Sequence, residues 1–517
     1  MLRGFLSVGG FTLLSRLTGF ARDVALAALL GAGTVSDAFF VAFRLPNQFR
    51  AIFGEGAFNT AYVPSYSRVL ETEGDDEAKR FASQIFTLLF ASQVILLVLA
   101  FAFTPLLVRV IAPGFETDPE KFALAVRMTR ITFPYLFFIT LATLHSGTLN
   151  AHGRFAVAAF APVLLNLSII GFLAISFRFP NAGEAASWGV VVSGAAQLAL
   201  LMLAARRSGL LERFARPHWS ADVRQFFGAL SPAIIGSAGV QIAILADTIL
   251  ASMLPTGLLS SVTYAERFYQ LPIGVVGVAA GTVLLPQMSR RLAAGDDAGA
   301  YRAQNRTMAT TIALSTPFFV AFLLVPDAIM RGAYLRGAFT AEAAANSAQV
   351  LAAYGVGLLP IVLIRSAVSS FQARGDTMTP MLVSLTAIAI NVGLKFLLYK
   401  PLGASGLALA TAVGAWINLC GLTVLALRRG WMRPDGELGK VAVATFFAGG
   451  LLALAASLGL APAQAFAETL PYWRNEALIA ILAVVVAIVY ALALAVAALA
   501  MGLRFGRLTP AQYSPSP

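Results

Sequence analysis

The feature that most constrains this chain is a succession of apolar windows, each about 20 residues long, punctuated by Gly, Pro and charge. A helix of that length crosses the roughly 30 Å hydrocarbon core of a bilayer. In lipid every backbone polar group must be satisfied within the spanning structure. Fourteen windows are read, at about residues 4–30, 36–66, 81–111, 122–148, 156–178, 184–205, 226–253, 259–288, 304–325, 345–371, 379–399, 404–427, 440–460 and 476–503. The expected fold class is therefore an all-α polytopic membrane protein with 14 transmembrane helices. Composition agrees: only 12% of the 517 residues are charged and mean hydropathy is +0.78, against about 25% charged in globular chains.

An even number of spans puts both ends on one side. Of the 37 Lys and Arg residues, 21 fall on the side of the N-terminus and 8 on or near the other; the remaining 8 lie within spans. Cytoplasmic loops carry the excess of basic residues, so both termini are expected in the cytoplasm. The same rule accounts for the net charge of +12 without nucleic acid as a partner. The first 16 residues pair a charge with an apolar run, as a signal peptide does. The run ends in Arg16 and Arg22 with no small-residue cleavage site, so it is read as a retained span. The one cysteine, Cys420, excludes an internal disulfide and a Cys-based metal site. His145, His152 and His218 show no ligand spacing.

An internal repeat divides the chain. Ala61–Arg68 (AYVPSYSR) matches Val283–Arg290 (VLLPQMSR), with Pro64 on Pro286, and the stretch from Asn150 to Arg154 matches that from Gln372 to Asp376. The run from Phe43 to Pro46 matches that from Tyr269 to Pro272 at nearly the same offset. Two six-helix lobes in one orientation are expected, related by a pseudo-two-fold axis along the membrane normal, plus two extra C-terminal helices. The domains read as 1–207 for the N-lobe, 208–224 for an amphipathic cytoplasmic linker, 225–430 for the C-lobe, 431–505 for the added pair and 506–517 for a flexible tail. In the linker, Leu210, Leu211, Phe214 and Trp219 alternate with Arg213 and Arg216, a pattern that suits an amphipathic helix on the leaflet surface as well as it suits a solvated connector.

The first two spans carry Arg16, Arg22, Asp23, Asp37, Arg44, Arg50 and Glu55. A charge at mid-bilayer costs roughly 2.5–3.5 kcal/mol on insertion scales, so such residues face a cavity or one another. Arg16 and Asp23 share a helix face, Gly19 permits a break between them, and Pro46 is placed to kink the second span. The guanidinium is a permanently charged planar fork suited to phosphate. Four arginines on one cavity could hold a diphosphate, or each could be neutralised locally: Arg16 or Arg22 by Asp23, Arg44 by Asp37, Arg50 by Glu55 and, in the second lobe, Arg267 by Glu266. Interior arginines outnumber carboxylates, so a net positive cavity is expected. Arg127 and Arg130 are weaker candidates that suit snorkelling.

The stretch from Arg16 to Asp23 (RLTGFARD), then Ser36 to Phe40 (SDAFF), Phe43 to Asn47 (FRLPN) and Phe53 to Phe58 (FGEGAF), resembles the signature of the MurJ (MviN) lipid II flippases, of the multidrug/oligosaccharidyl-lipid/polysaccharide exporter superfamily. The resemblance covers nearly the whole chain. It implies alternating-access movement of undecaprenyl-diphosphate-linked peptidoglycan precursor from the cytoplasmic to the periplasmic leaflet of the bacterial plasma (inner) membrane. It implies diphosphate binding by Arg16, Arg22, Arg50 and Arg267, acidic cavity positions at Asp37 and Glu55, and a groove for the lipid tail along the added pair. Lipid II, membrane lipids and cell-wall synthesis machinery are the implied partners. No cofactor is expected; membrane potential or an ion gradient would supply the energy. Some relatives hold Na⁺ in the second lobe. Here Asp247 and Asn391 are available, but Lys395 follows Asn391 by four residues and its ammonium could replace the ion.

Two rival classes are weighed. A cation-coupled drug or other polysaccharide exporter of the same superfamily needs a carboxylate-dominated cavity, which this chain lacks. A membrane enzyme needs an acid/base pair or an acidic metal motif, and Asp75-Asp76 and Asp296-Asp297 sit in connectors without a partnering His. No P-loop occurs, which argues against ATP as direct fuel. No catalytic residue and no metal site is assigned.

Overall fold

The computed structural model describes residues 2–50, 57–470 and 474–502. Among them the chain is helical, without a strand. All fourteen predicted windows fall on helix among the described residues, and ten helical stretches are long and apolar enough to cross a membrane by length and composition. The helices form two compact units, residues 1–260 with 336–340, and residues 261–335 with 341–517.

In the first unit the order is α1 (Leu2–Leu30), α2 (Thr34–Arg50), α3 (Ala57–Glu73), α4 (Asp75–Ala102), α5 (Thr104–Ile111), α6 (Pro119–Thr132), α7 (Pro134–Ala151), α8 (Phe155–Ala174), α9 (Ala182–Arg207) and α10 (Ala221–Ser252). Breaks follow local chemistry. Pro105 and Pro134 sit in the first turns of α5 and α7, where their missing N–H is no loss, and the single residues Phe103 and Phe133 separate those helices from α4 and α6. Asp118, Asn181 and Ser220 cap α6, α9 and α10 by accepting a backbone N–H three residues on. α1 packs on α8, α8 on α9, α2 on α6 and α10 on α3. Phe58, Tyr62, Phe81 and Phe226 interlock at the α3–α10 seam. α1 runs unbroken through Gly19, contrary to the break expected there. The α1–α2 turn is tight: Gly31 has φ +64°, and a Cβ there would lie 2.4 Å from the Ala338 carbonyl oxygen. Ala338 also donates its N–H to Ala28 O at 2.8 Å, which is how residues 336–340 come to belong to this unit.

The connector after α9 departs from the helical alternative: residues 210–220 contain no helix. A short amphipathic segment gains little from its own hydrogen bonds, and here its side chains find other partners. Leu210 and Glu212 are buried, and Phe214 meets the rings of Phe86 and Phe90 edge-on.

The second unit runs α11 (Leu258–Pro272), a π-helical turn (Ile273–Gly277), α12 (Val278–Ala293), α13 (Asp297–Leu324), α14 (Pro326–Tyr334), α15 (Ala341–Val356), α16 (Leu358–Gln372), α17 (Met378–Arg428), α18 (Gly436–Glu468) and α19 (Arg474–Ala500). The first residues of α11, to Ser260, lie in the first unit. α17 bends at Gly403 (φ 57°, ψ −137°) just after Pro401, so it supplies two of the predicted spans. The repeat is visible in element lengths: α13 and α14 have 28 and 9 residues where α4 and α5 have 28 and 8. α18 packs on α19 and α13, and an apolar pocket of about 400 Å³ opens among Thr316, Phe319, Thr445, Phe446 and Gly449.

Candidate functional site

Arg22 and Asp23 lie two-thirds of the way along α1, 8% and 7% exposed. Arg22 gives Nε and Nη2 to Asp23 Oδ1 (3.0 and 2.7 Å) and Nη1 to Asn166 Oδ1 on α8 (2.9 Å). Asn166 is itself oriented, since its Nδ2 donates to Ser15 O (2.9 Å) and Thr18 Oγ1 (3.1 Å). The fork is thus fixed by three acceptor contacts before any ligand arrives, which is the preorganisation an anion site requires. Local neutralisation of Arg22 by Asp23 is what the sequence suggested. Arg16 is exposed, and the ion pair described for Asp23 is the one with Arg22.

The pairings expected on α2 differ. Arg44 donates Nε to Thr248 Oγ1 on α10 at 3.0 Å, and Asp37 goes elsewhere. Asp37, 1% exposed, takes Lys121 Nζ of α6 at 2.7 Å and Gly257 N at 2.8 Å on Oδ2. Its Oδ1 accepts Ser260 N at 3.0 Å and Ser260 Oγ at 2.6 Å. Ser36 Oγ touches Ser260 Oγ at 2.9 Å, and Lys121 lies 4.3 Å from the centre of the Phe115 ring. The carboxylate therefore ties α2, α6 and the turn after α10 together. Arg50 donates to Asn47 Oδ1 at 3.2 Å. Its suggested partner, Glu55, lies outside the described residues. Arg127 bonds the buried Glu184 at 3.1 Å while most of its side chain stays exposed.

In the second unit Arg267 is half-buried on α11, and neighbouring Glu266 accepts from Gln270 Nε2 at 2.8 Å. Lys395 and Asn391 share one face of α17, 1% and 8% exposed.

A buried network at the connector was not anticipated. Glu212 Oε2 lies 2.5 Å from His145 Nδ1, and its Oε1 accepts Thr148 Oγ1 at 2.6 Å; Tyr62 Oη joins Thr148 Oγ1 at 2.8 Å. Outside the spans, two loop carboxylates titrate below their ordinary range. Asp296 is held down by the Gly299 N–H and then by Arg291, and Asp376 by the Thr379 N–H and hydroxyl with help from Arg429.

Long apolar helices carrying ion-paired arginine, lysine and carboxylate side chains on their buried faces define a polytopic membrane protein of the transporter type. A family model described as Lipid II flippase MurJ matches residues 26–484. The probable lipid II flippase MurJ of Rhizobium meliloti (strain 1021) is 40% identical over 447 residues, 85% of this chain and 83% of that protein. The lipid II flippase MurJ of Burkholderia cenocepacia is 33% identical over 442 residues, 84% of this chain and 85% of that protein. The chain belongs to the MurJ lipid II flippase family. Its fold is similar to a solved lipid II flippase MurJ in an inward closed conformation (TM-score 0.78, 23% identity, covering 96% of this chain and 99% of that one). It is also similar to an inward-facing multidrug resistance transporter of the MATE family (TM-score 0.67, 14% identity, covering 82% and 97%).

Proposed function

We infer that this protein is a lipid II flippase of the bacterial inner membrane, a transporter and not an enzyme, working by alternating access. The observation that carries the reading is Arg22: a buried guanidinium held in place by Asp23 and Asn166, in a chain that matches the family over residues 26–484. A diphosphate is the part of the precursor that such forks suit, because each phosphate oxygen accepts charge-assisted hydrogen bonds. Arg16, Arg22, Arg50 and Arg267 are assigned to it. Glu55 is assigned as an acidic cavity position, and Asp37 acts there once its four donors have let go. The apolar pocket between α13 and α18 suits a prenyl chain, because Thr316 and Thr445 are its few polar side chains. Both termini face the cytoplasm in this reading, and charges inside the field couple the cycle to voltage at about 2.3 kcal/mol per charge per 100 mV.

The test is growth of flippase-depleted cells that carry Arg22→Ala or Arg267→Ala. Normal membrane levels without growth support the assignment, and normal growth at those levels removes it.

A further inference from the structure

At one end of the second unit α13 begins, α16 ends and α17 both begins and ends. There the rings of Tyr301, Phe371 and Trp431 meet three guanidinium groups. Arg374 lies 5.7 Å from the Tyr301 centroid and 5.5 Å from that of Trp431; Arg429 lies 4.9 Å from Trp431 and 5.9 Å from Phe371; Arg433 lies 5.2 Å from Tyr301. The loops are pinned, because Tyr301 Oη donates to Gly430 O at 2.6 Å and Ser370 Oγ to Trp431 O at 2.9 Å.

Negative charge is short. Arg429 donates to Asp376 Oδ2 at 2.6 Å, but that carboxylate also accepts the Thr379 N–H and hydroxyl, at 2.9 and 2.7 Å. Asp435 is occupied as the cap of α18, through Leu438 N at 2.8 Å. Among the described residues Arg374 and Arg433 form no ion pair. Arg374 Nη1 takes Ser370 O at 2.8 Å, while its Nη2 is buried with no acceptor. A buried donor that the protein leaves unsatisfied calls for a partner from outside the chain, a water or a ligand oxygen.

We propose that this cluster is a phosphate-binding site that takes the headgroup phosphodiester of an anionic phospholipid. Arg374 Nη2 and the Arg433 fork supply donors, and the rings supply the half-apolar surface that the headgroup boundary favours. The Lys and Arg count assigns this end to the cytoplasmic leaflet, where anionic lipids concentrate. The proposal stands independently of the transport reading.

The test uses the full chain, purified in a neutral detergent, and counts retained lipids by native mass spectrometry. Dioleoyl phosphatidylglycerol, dioleoyl phosphatidylcholine and inorganic phosphate are compared, on the wild type and on the Arg374→Gln/Arg433→Gln double variant. The wild type is expected to retain phosphatidylglycerol well above phosphatidylcholine, and the double variant to lose about thirtyfold in that affinity. Competition by millimolar inorganic phosphate, absent in the variant, also supports the site and identifies the phosphate alone as the recognised group. Equal retention of the two lipids, or unchanged retention by the variant, overturns the proposal. Should the double variant not fold, Arg433→Gln alone carries the test, since its side chain is exposed and lies against the Tyr301 ring; unchanged retention there overturns it equally.

Discussion

Asp37 and Lys121 form an ion pair at 2.7 Å with both side chains at most 4% exposed, joining α2 to α6 across 84 residues of sequence. Removing one member of such a pair leaves an uncompensated buried charge, at a cost of about 3–5 kcal/mol. Lys121→Met is therefore expected to lower the thermal midpoint of the purified protein clearly. Adding Asp37→Asn should recover a large part of that loss. Thermal unfolding of both single variants and the double variant checks this, and strictly additive losses would contradict the pairing.

Arg22 makes contacts that a lysine cannot reproduce, because one ammonium does not span Asp23 and Asn166 in the same plane. Arg22→Lys should keep the charge yet support growth of depleted cells only weakly, and Arg22→Ala not at all. Asn166→Ala, which frees one arm of the fork, should fall between wild type and Arg22→Ala. Immunoblots of membrane fractions separate lost function from lost protein.

Glu212 fastens the connector after α9 to α7. In Glu212→Ala the buried His145 Nδ1 loses its partner, a penalty of about 1–3 kcal/mol, while the Thr148 hydroxyl keeps Leu144 O as an acceptor. Arg213 is exposed beside it and is a trypsin site, whereas Arg216 precedes Pro217, a bond that trypsin does not cut. Limited trypsin digestion should cut this connector at least about fivefold faster in the variant, since local opening follows the local free energy. An unchanged cleavage rate would show that the strap is held by other contacts.

Asp296 and Asp376 have depressed carboxyl pKa values in the folded protein, set chiefly by the Gly299 and Thr379 N–H groups. A depressed folded value means that their stabilising contacts are fully present above the ordinary value of 3.8 and are lost as pH falls through the lower folded value. Between pH 5 and pH 3, roughly the range spanning the ordinary carboxylate value, the Asp296→Asn/Asp376→Asn protein should lose less thermal stability than wild type. An equal loss would place the acid sensitivity in other carboxylates.

The spans were legible because each is an apolar run closed by Gly, Pro or charge, and the Pro401–Gly403 corner was legible for the same reason. Arg22 and Asp23 were legible because they are neighbours in the chain. Asn166 was not, since an amide in α8 gives no periodic signal that it faces α1. Asp37 seemed matched to Arg44 by helical spacing, whereas Lys121, which reads as a connector charge, reaches inward and takes it. The alternation around Phe214 suggested a helix as readily as a connector; it reflects a non-helical strap whose Leu210 and Glu212 are buried while Arg213 and Arg216 are exposed.

The most direct test of the central claim is accessibility of the lipid-linked precursor from outside living cells. Cells in which this chain is the sole flippase are exposed to an external toxin that cleaves the lipid II headgroup, and the cleavage product is measured. Product is expected with the wild-type chain and should fall to background with Arg22→Ala or on depletion, while uncleaved precursor accumulates. Equal cleavage with and without a functional copy of this chain would contradict the account.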